Sequence, residues 1–314
     1  MIKASRKILG ITILLACLIL LPLIAGDYTL QLVITVMVLS VLGLAFATCW
    51  KCGLIRVDIA AFWGIGAYTS ALLMTKAGLS YWFSLPLGGF MAALLALVLA
   101  SISIPRGPLV FFTLGFVFGL VVMQTLGAVK FFGGWGGIER LPSPVIGSFV
   151  FAGKVPYYYL GLFLLMLNAV TLYLLYDSRI GRAWKAIGSS PNLAKAMGIH
   201  VNRYRLAATV IGSFFVGLCG GYYGSYQGFI VPEMFGFYQS IYAQMYALVG
   251  GLNYFLAGPI IGAGVMVFMP EILRVTAEFE IIFSSFILIM VIIFLPQGIL
   301  SLAFKLGNKI FRPK

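Results

Sequence analysis

Residues 177–205 read DSRIGRAWKAIGSSPNLAKAMGIHVNRYR, a polar and basic stretch that interrupts a chain built otherwise from apolar runs. Set against 314 residues of which 62% are hydrophobic and 9% charged, it decides the fold class. A soluble domain of this length cannot bury so much apolar surface, whereas a bilayer accepts it. The mean hydropathy of +1.07 agrees. The chain therefore reads as an all-α, polytopic integral membrane protein, a single transmembrane domain over 1–314 with 177–205 as its long loop. Inside that loop Ser190 is placed to N-cap a short helix, Pro191 suits its first position, and Gly198 can end it in a left-handed conformation. A basic loop with a short capped helix gives a cytoplasmic partner something to grip, and points to a membrane subunit driven from outside itself.

A helix needs about 20 apolar residues to cross the hydrocarbon layer. Ten stretches qualify: 8–25, 30–49, 58–76, 82–103, 108–128, 157–176, 206–226, 236–252, 254–270 and 280–298. Tyr238, Gln239 and Gln244 make 236–252 rather polar, and Gly250-Gly251-Leu252-Asn253 leaves only a tight turn before the next stretch. The two either cross separately or form a re-entrant pair covered by protein. With an inside N-terminus and ten crossings, 16 of the 21 Lys and Arg residues fall inside, including six from 177–205 and four near the C-terminus. Only Lys76, Lys130, Arg140, Lys154 and Arg274 fall outside. That bias follows the positive-inside rule and puts both termini in the cytoplasm; nine crossings would break it. The first stretch is longer than a signal-peptide core and lacks a small-x-small cleavage site before Asp27, so it reads as a retained span.

The formal charge of +13 does not argue for nucleic acid, because the basic residues lie at span ends instead of in a patch with interleaved aromatics. Cys17, Cys49, Cys52 and Cys219 lie in or beside apolar runs, which disfavours disulfides; Cys49 and Cys52 form C-x-x-C without the βαβ setting of a redox motif. The single histidine, His200, reads as a solvated loop residue. No catalytic constellation, metal-ligand spacing or cofactor motif appears, and the nearest approach to a phosphate loop, Gly147 to Gly153-Lys154-Val155, has the wrong spacing and no Ser or Thr after the lysine. If ATP is used, another chain binds it. An ion-coupled transporter wants an ionisable group inside the membrane, and only Asp58, with Arg56 two residues away, is a candidate; the pair reads as charge at the membrane interface. Glycines recur at four-residue spacing (Gly115/Gly119, Gly217/Gly221, Gly220/Gly224, Gly258/Gly262) and suit close helix packing. Phe131–Gly137 and Tyr222–Tyr238, rich in aromatics and glycine, read as parts of an outer aromatic belt, or as an entrance or docking surface.

The stretch GRAWKAIGSSPNLAKAMGIHVNRYRLAATVIGSFFVGLCGGYY (181–223) resembles the permease subunits of bacterial branched-chain amino-acid ABC transporters. So do AAFWGIGAYTSALL (60–73), VGGLNYFLAGPIIGA (249–263) and FLPQGILSL (294–302), in matching order, so the likeness covers roughly 30–302. In that family the loop holds the coupling helix, which sits in a groove of the ATPase subunit. The likeness thus assigns ATPase coupling to Ser190, Pro191, Asn192, Ala194, Ala196 and Gly198. The family pattern there is Glu-Ala-Ala-x-x-x-Gly; this chain has Asn192, Leu193, Ala194 and Gly198, so the acid and one alanine are missing. A second departure precedes AAF: the usual Gln-Leu-Ser-Leu-Gly-like turn is replaced by Leu54-Ile55-Arg56-Val57-Asp58-Ile59.

The resemblance implies a permease of the bacterial inner membrane that works by alternating access on leucine, isoleucine and valine. Its partners would be ABC ATPase subunits, a second permease subunit and a periplasmic or extracellular substrate-binding protein. It implies no enzyme activity of its own and no cofactor. Relatives that carry urea or short amides keep another small polar solute open as substrate, and an ion-coupled secondary transporter is the reading from a different class.

Overall fold

The computed structural model describes residues 18–272 other than 24, 148 and 152, together with 286, 289, 290, 293 and 298–301. The long helices are α1 (Asp27–Trp50), α2 (Ile59–Thr75), α3 (Tyr81–Ser103), α4 (Pro108–Ala128), α5 (Lys154–Asp177) and α8 (Val201–Gln227). Between α5 and α8 lie α6 (Arg179–Ser189) and α7 (Pro191–Ala196), and beyond α8 come α9 (Phe237–Gly250) and α10 (Ala257–Ile272). Local chemistry sets several of these limits. Gly107, at φ +114°, turns the chain between α3 and α4, and Pro108 opens α4 where its missing N–H costs no helical bond.

Of the ten expected spans, 8–25 and 280–298 lie for the most part outside the described residues, although 18–23 are helical. The other eight each coincide with a helix. Five helices among the described residues are long and apolar enough to cross a bilayer: α1, α3, α4, α5 and α8. The shortfall is at α9 and α10, of 14 and 16 residues. At 1.5 Å per residue they reach about 21 and 24 Å, below the ~30 Å of the hydrocarbon layer. The 17 residues of α2 are also short. Five full-length crossings are thus present among the described residues.

The centre of the molecule is α8, packed on α1, α2 and α3. Backbones meet there almost directly. A methyl group added at Gly66 of α2 would overlap the Gly217 backbone of α8, and one at Gly220 would overlap the Trp63 carbonyl. One at Gly217 would lie 2.5 Å from the Ala92 methyl of α3. Lipid gives apolar helices no hydrophobic reason to associate, so small residues that permit close backbone approach supply van der Waals contact instead. Gly217 and Gly220 thus serve helix packing. The same holds for α9 and α10, where a methyl at Gly258 or Gly262 would overlap the Gly251 or Tyr246 backbone. Buried Tyr222 on α8 donates its hydroxyl to the Tyr157 carbonyl on α5 (2.7 Å), and Tyr157 donates to the Ser225 carbonyl (2.8 Å), which ties α5 to α8.

Against the all-α expectation there are four two-residue strands among the described residues. β1 (Ile138–Glu139) pairs antiparallel with β4 (Phe229–Ile230), and β2 (Val145–Ile146) with β3 (Phe149–Val150). The first pair sets the two residues directly after Phe131–Gly137 against Phe229–Ile230 of the second aromatic segment, which the sequence presents as separate.

Candidate functional site

The 177–205 segment is more ordered than one helix in a loop. Ser178 caps α6 by accepting from the Ile180 N–H (3.1 Å), and the helix is amphipathic, with Gly181, Ala183, Trp184 and Ile187 buried and Arg179, Arg182 and Lys185 exposed. The spacing of Ala183, Trp184 and Ile187 was the signal for this helix in the sequence. Ser190 then caps α7, its Oγ accepting from the Leu193 N–H at 3.3 Å, and Pro191 takes the first helical position. At the far end Gly198 has φ +82°. Its N–H donates to the Lys195 carbonyl and that of Ile199 to the Ala194 carbonyl, both at 3.0 Å. These two bonds make a Schellman motif, which satisfies carbonyls the helix leaves open.

The residues of α7 divide by face. Ala194 is buried against Ile187 and Val201, while Asn192, Ala196 and Gly198 are exposed. Two residues the sequence reading passed over stand out. Leu193 and Met197, four apart, are 62% and 75% exposed and so put a pair of long apolar side chains outward beside the cap. His200 is exposed and its side chain makes no capping bond to α8.

This unit is fastened to the turn after α1 and to the flanking helices α5 and α8. The Trp184 indole, fully buried, donates to the Tyr204 carbonyl (3.0 Å). Arg205 Nε donates to the Cys52 carbonyl (3.0 Å) and Nη2 to the Gly53 carbonyl (3.4 Å). Gly188 approaches the Lys51 carbonyl so closely that a methyl there would collide with it. Burial, with the like charge of Lys185 nearby, lowers the pKa of the Lys51 ammonium below its ordinary value. Lys185 itself lies over the Tyr176 ring, 3.8 Å from its centroid.

The same turn leads into the charged pair. Arg56 and Asp58 are both fully buried within the protein. Arg56 Nε donates to Asp58 Oδ1 at 2.8 Å. Its Nη2 donates to Ser213 Oγ (2.8 Å) and its Nη1 to the Thr209 carbonyl (3.3 Å), both on α8. The guanidinium lies 5.5 Å from the Phe62 ring centroid. Ser213 and Thr209 carry enough acceptors to make the burial of an arginine tenable, which hydropathy alone cannot register. Asp58 Oδ2 has no partner among the described residues and faces Gly115 of α4. Cys49 is a buried free thiol, 3.7 Å from Thr209 Oγ1, and Cys52 donates to the Thr48 carbonyl.

At the opposite end, Lys76 Nζ donates to the Phe131 carbonyl (2.7 Å) and sits over the Phe131 ring. Trp135 lies against Gly127 so closely that a methyl there would sit 2.6 Å from the indole.

The family model described as branched-chain amino acid transport system / permease component matches residues 28–296. The high-affinity branched-chain amino acid transport system permease protein LivM of Escherichia coli K12 is 28% identical, covering 90% of this chain and 72% of the relative. LivH, the corresponding permease protein of the same strain, is 33% identical over 44% of each chain. The guanosine ABC transporter permease protein NupQ of Bacillus subtilis is 26% identical over 60% of this chain and 63% of its own length. No solved structure matches.

Proposed function

The chain belongs to the branched-chain amino-acid transport-system permease family, and we propose that it forms one half of the pore of an ATP-driven ABC importer for leucine, isoleucine and valine. The pore is completed by a second permease subunit, ABC ATPase subunits hydrolyse ATP, and a substrate-binding protein delivers the amino acid to the outer face. The chain lies in the bacterial inner membrane with both termini in the cytoplasm and 177–205 facing the ATPase, the arrangement favoured by the Lys and Arg bias.

The observation that carries the coupling part of this reading is α7. A six-residue helix capped at both ends, with Leu193 and Met197 outward, is a rigid apolar knob on a basic surface. In this reading ATPase closure moves α7, and the fastening through Trp184, Gly188 and Arg205 carries the displacement to the turn after α1 and on to the Arg56–Asp58 pair at the start of α2. The permease supplies two states and the ATPase the bias between them. The missing glutamate at Asn192 leaves apolar contact as the principal attraction.

Co-expression with the neighbouring genes tests the proposal. An ATPase should co-purify with the tagged chain, and membrane vesicles containing the assembly should take up leucine, isoleucine and valine in an ATP-dependent way. A properly inserted chain that carries no ATPase would overturn it. The guanosine permease among the relatives favours a second reading, another small solute as substrate. Guanosine and urea therefore belong in the uptake panel.

A further inference from the structure

At the opposite end of the molecule from α7, a cavity of about 370 Å³ opens where the start of α1, the loop after β1, the start of α5 and the end of α8 meet. By the charge bias this is the outer face. Buried Tyr157 and Ser225 line it. Their hydroxyls are already engaged, Tyr157 with the Ser225 carbonyl and Ser225 Oγ with the Pro142 carbonyl (3.1 Å), so they give the cavity a rigid, polar base.

The wall is different. Lys154, half-buried at the start of α5, donates to the Asp27 carbonyl (3.1 Å) and to Gln31 Oε1 (3.2 Å), both neutral acceptors. No acid pairs with it among the described residues, and none lines the cavity. Gln31 is held through its oxygen, which leaves its amide N–H groups over, and the Ser143 hydroxyl has no hydrogen bond among the described residues. Gly153 brings no side chain to cap α5, so the open N–H groups of the first turn add to the positive character of this wall. The cavity thus offers an ammonium, an amide and a hydroxyl as donors, with no countercharge.

We propose that this cavity is a socket for one acidic side chain of the substrate-binding protein. A carboxylate brings the charge that the cavity lacks, and charge-assisted hydrogen bonds to it are roughly twice as strong as neutral ones. A free amino acid fits less well, because no acidic group lines the cavity and its ammonium would stay unpaired. A lipid phosphodiester meets the same donors but arrives with acyl chains, for which the polar base has no place. The proposal rests on the importer reading and deepens it by giving the outer partner a point of contact.

The test is association of the purified binding protein with the complete transporter in nanodiscs. Wild type is compared with Lys154→Arg, Lys154→Gln and Lys154→Glu, and with Lys130→Gln as an exposed control outside the cavity. The acceptors that Lys154 leaves behind, on Asp27 and Gln31, are exposed residues that water can serve, and the unfolding temperature of each assembly checks that the fold is kept. Lys154→Gln should weaken binding by about tenfold through faster dissociation, since an enclosed charge pair acts on the off-rate and a rim charge on the on-rate. Lys154→Glu should weaken it further, Lys154→Arg should retain most of it, and Lys130→Gln should change it by about twofold or less. One acid-to-lysine variant of the binding protein should restore binding to Lys154→Glu and to no other variant.

Unchanged association in Lys154→Gln and Lys154→Glu, or a loss confined to the on-rate, would overturn the socket while leaving the importer reading intact. So would an anionic lipid found by mass spectrometry on wild type and absent from Lys154→Gln, with docking unchanged; the ligand would then be a phosphate. A wild-type assembly that neither binds the protein nor imports leucine overturns the importer reading, and the socket with it.

Discussion

Arg56 and Asp58 form an ion pair at 2.8 Å in which neither side chain reaches solvent, at the junction between the turn after α1 and the first residue of α2. Removing one partner strands the other's charge, at a cost of about 3–5 kcal/mol, whereas replacing both with apolar residues of similar size is often nearly neutral. Asp58→Ala and Arg56→Met should each lower the unfolding temperature of the purified protein in detergent markedly. The Arg56→Met/Asp58→Leu double variant should recover most of the loss. A double variant as unstable as the sum of the singles would contradict a coupled buried pair.

Gly198 is held at φ +82°, where a β-branched residue is strained by roughly 1–2 kcal/mol. Gly198→Val should therefore unravel the end of α7 and reduce ATPase co-purification. Gly198→Asn, which tolerates the left-handed region, should retain it. Membrane insertion, checked by protease accessibility, should be the same in both. Equal loss in both variants would mean that some property of glycine other than its conformation matters there.

Leu193 and Met197 make little contact with the rest of the chain. Their joint replacement by serine should leave stability within about 0.5 kcal/mol of wild type. It should still weaken ATPase association by about tenfold or more, as loss of an apolar anchor does. Detergent-solubilised pulldown and an unfolding curve on the same samples separate the two effects. Unchanged association would remove the apolar knob from the coupling account.

Glycines in this protein are not interchangeable. Gly66→Ala drives a methyl into the Gly217 backbone and should destabilise by about 1–3 kcal/mol or more. Gly119 of α4 has only the Val57 carbonyl oxygen within reach, at 4.0 Å, so Gly119→Ala should stabilise slightly through helix propensity, by about 0.5–1 kcal/mol. Opposite signs in the two unfolding temperatures are the expected outcome.

What the sequence makes legible is what depends on neighbours along the chain. Apolar runs locate eight of the ten helices named in the described part, and Ser190, Pro191 and Gly198 mark the ends of α7, because capping needs only a few consecutive residues. The burial of Arg56 was not legible. Hydropathy weighs each charge singly, and the groups that accommodate this guanidinium, Thr209 and Ser213, lie more than 150 residues away. The sequence marks 236–252 as polar for a span, without choosing between a crossing and a re-entrant pair. Gly250 to Asn253 announce a tight turn, but only the packing of Gly250 and Gly251 against Gly258 and Gly262 shows how closely the two short helices meet there.

The seam between α2 and α8 has a mechanical consequence. Interlocked side chains resist sliding because each step must lift a knob out of its hole, but Gly66, Gly217 and Gly220 leave a stretch of nearly smooth rod against rod. Arg56 bolts that stretch at one end, to the Thr209 and Ser213 level of α8. The polar bonds at that end are thus the strongest restraint on sliding along the seam, while the other end meets Phe132 and Phe235 around Tyr68 through ring contacts alone.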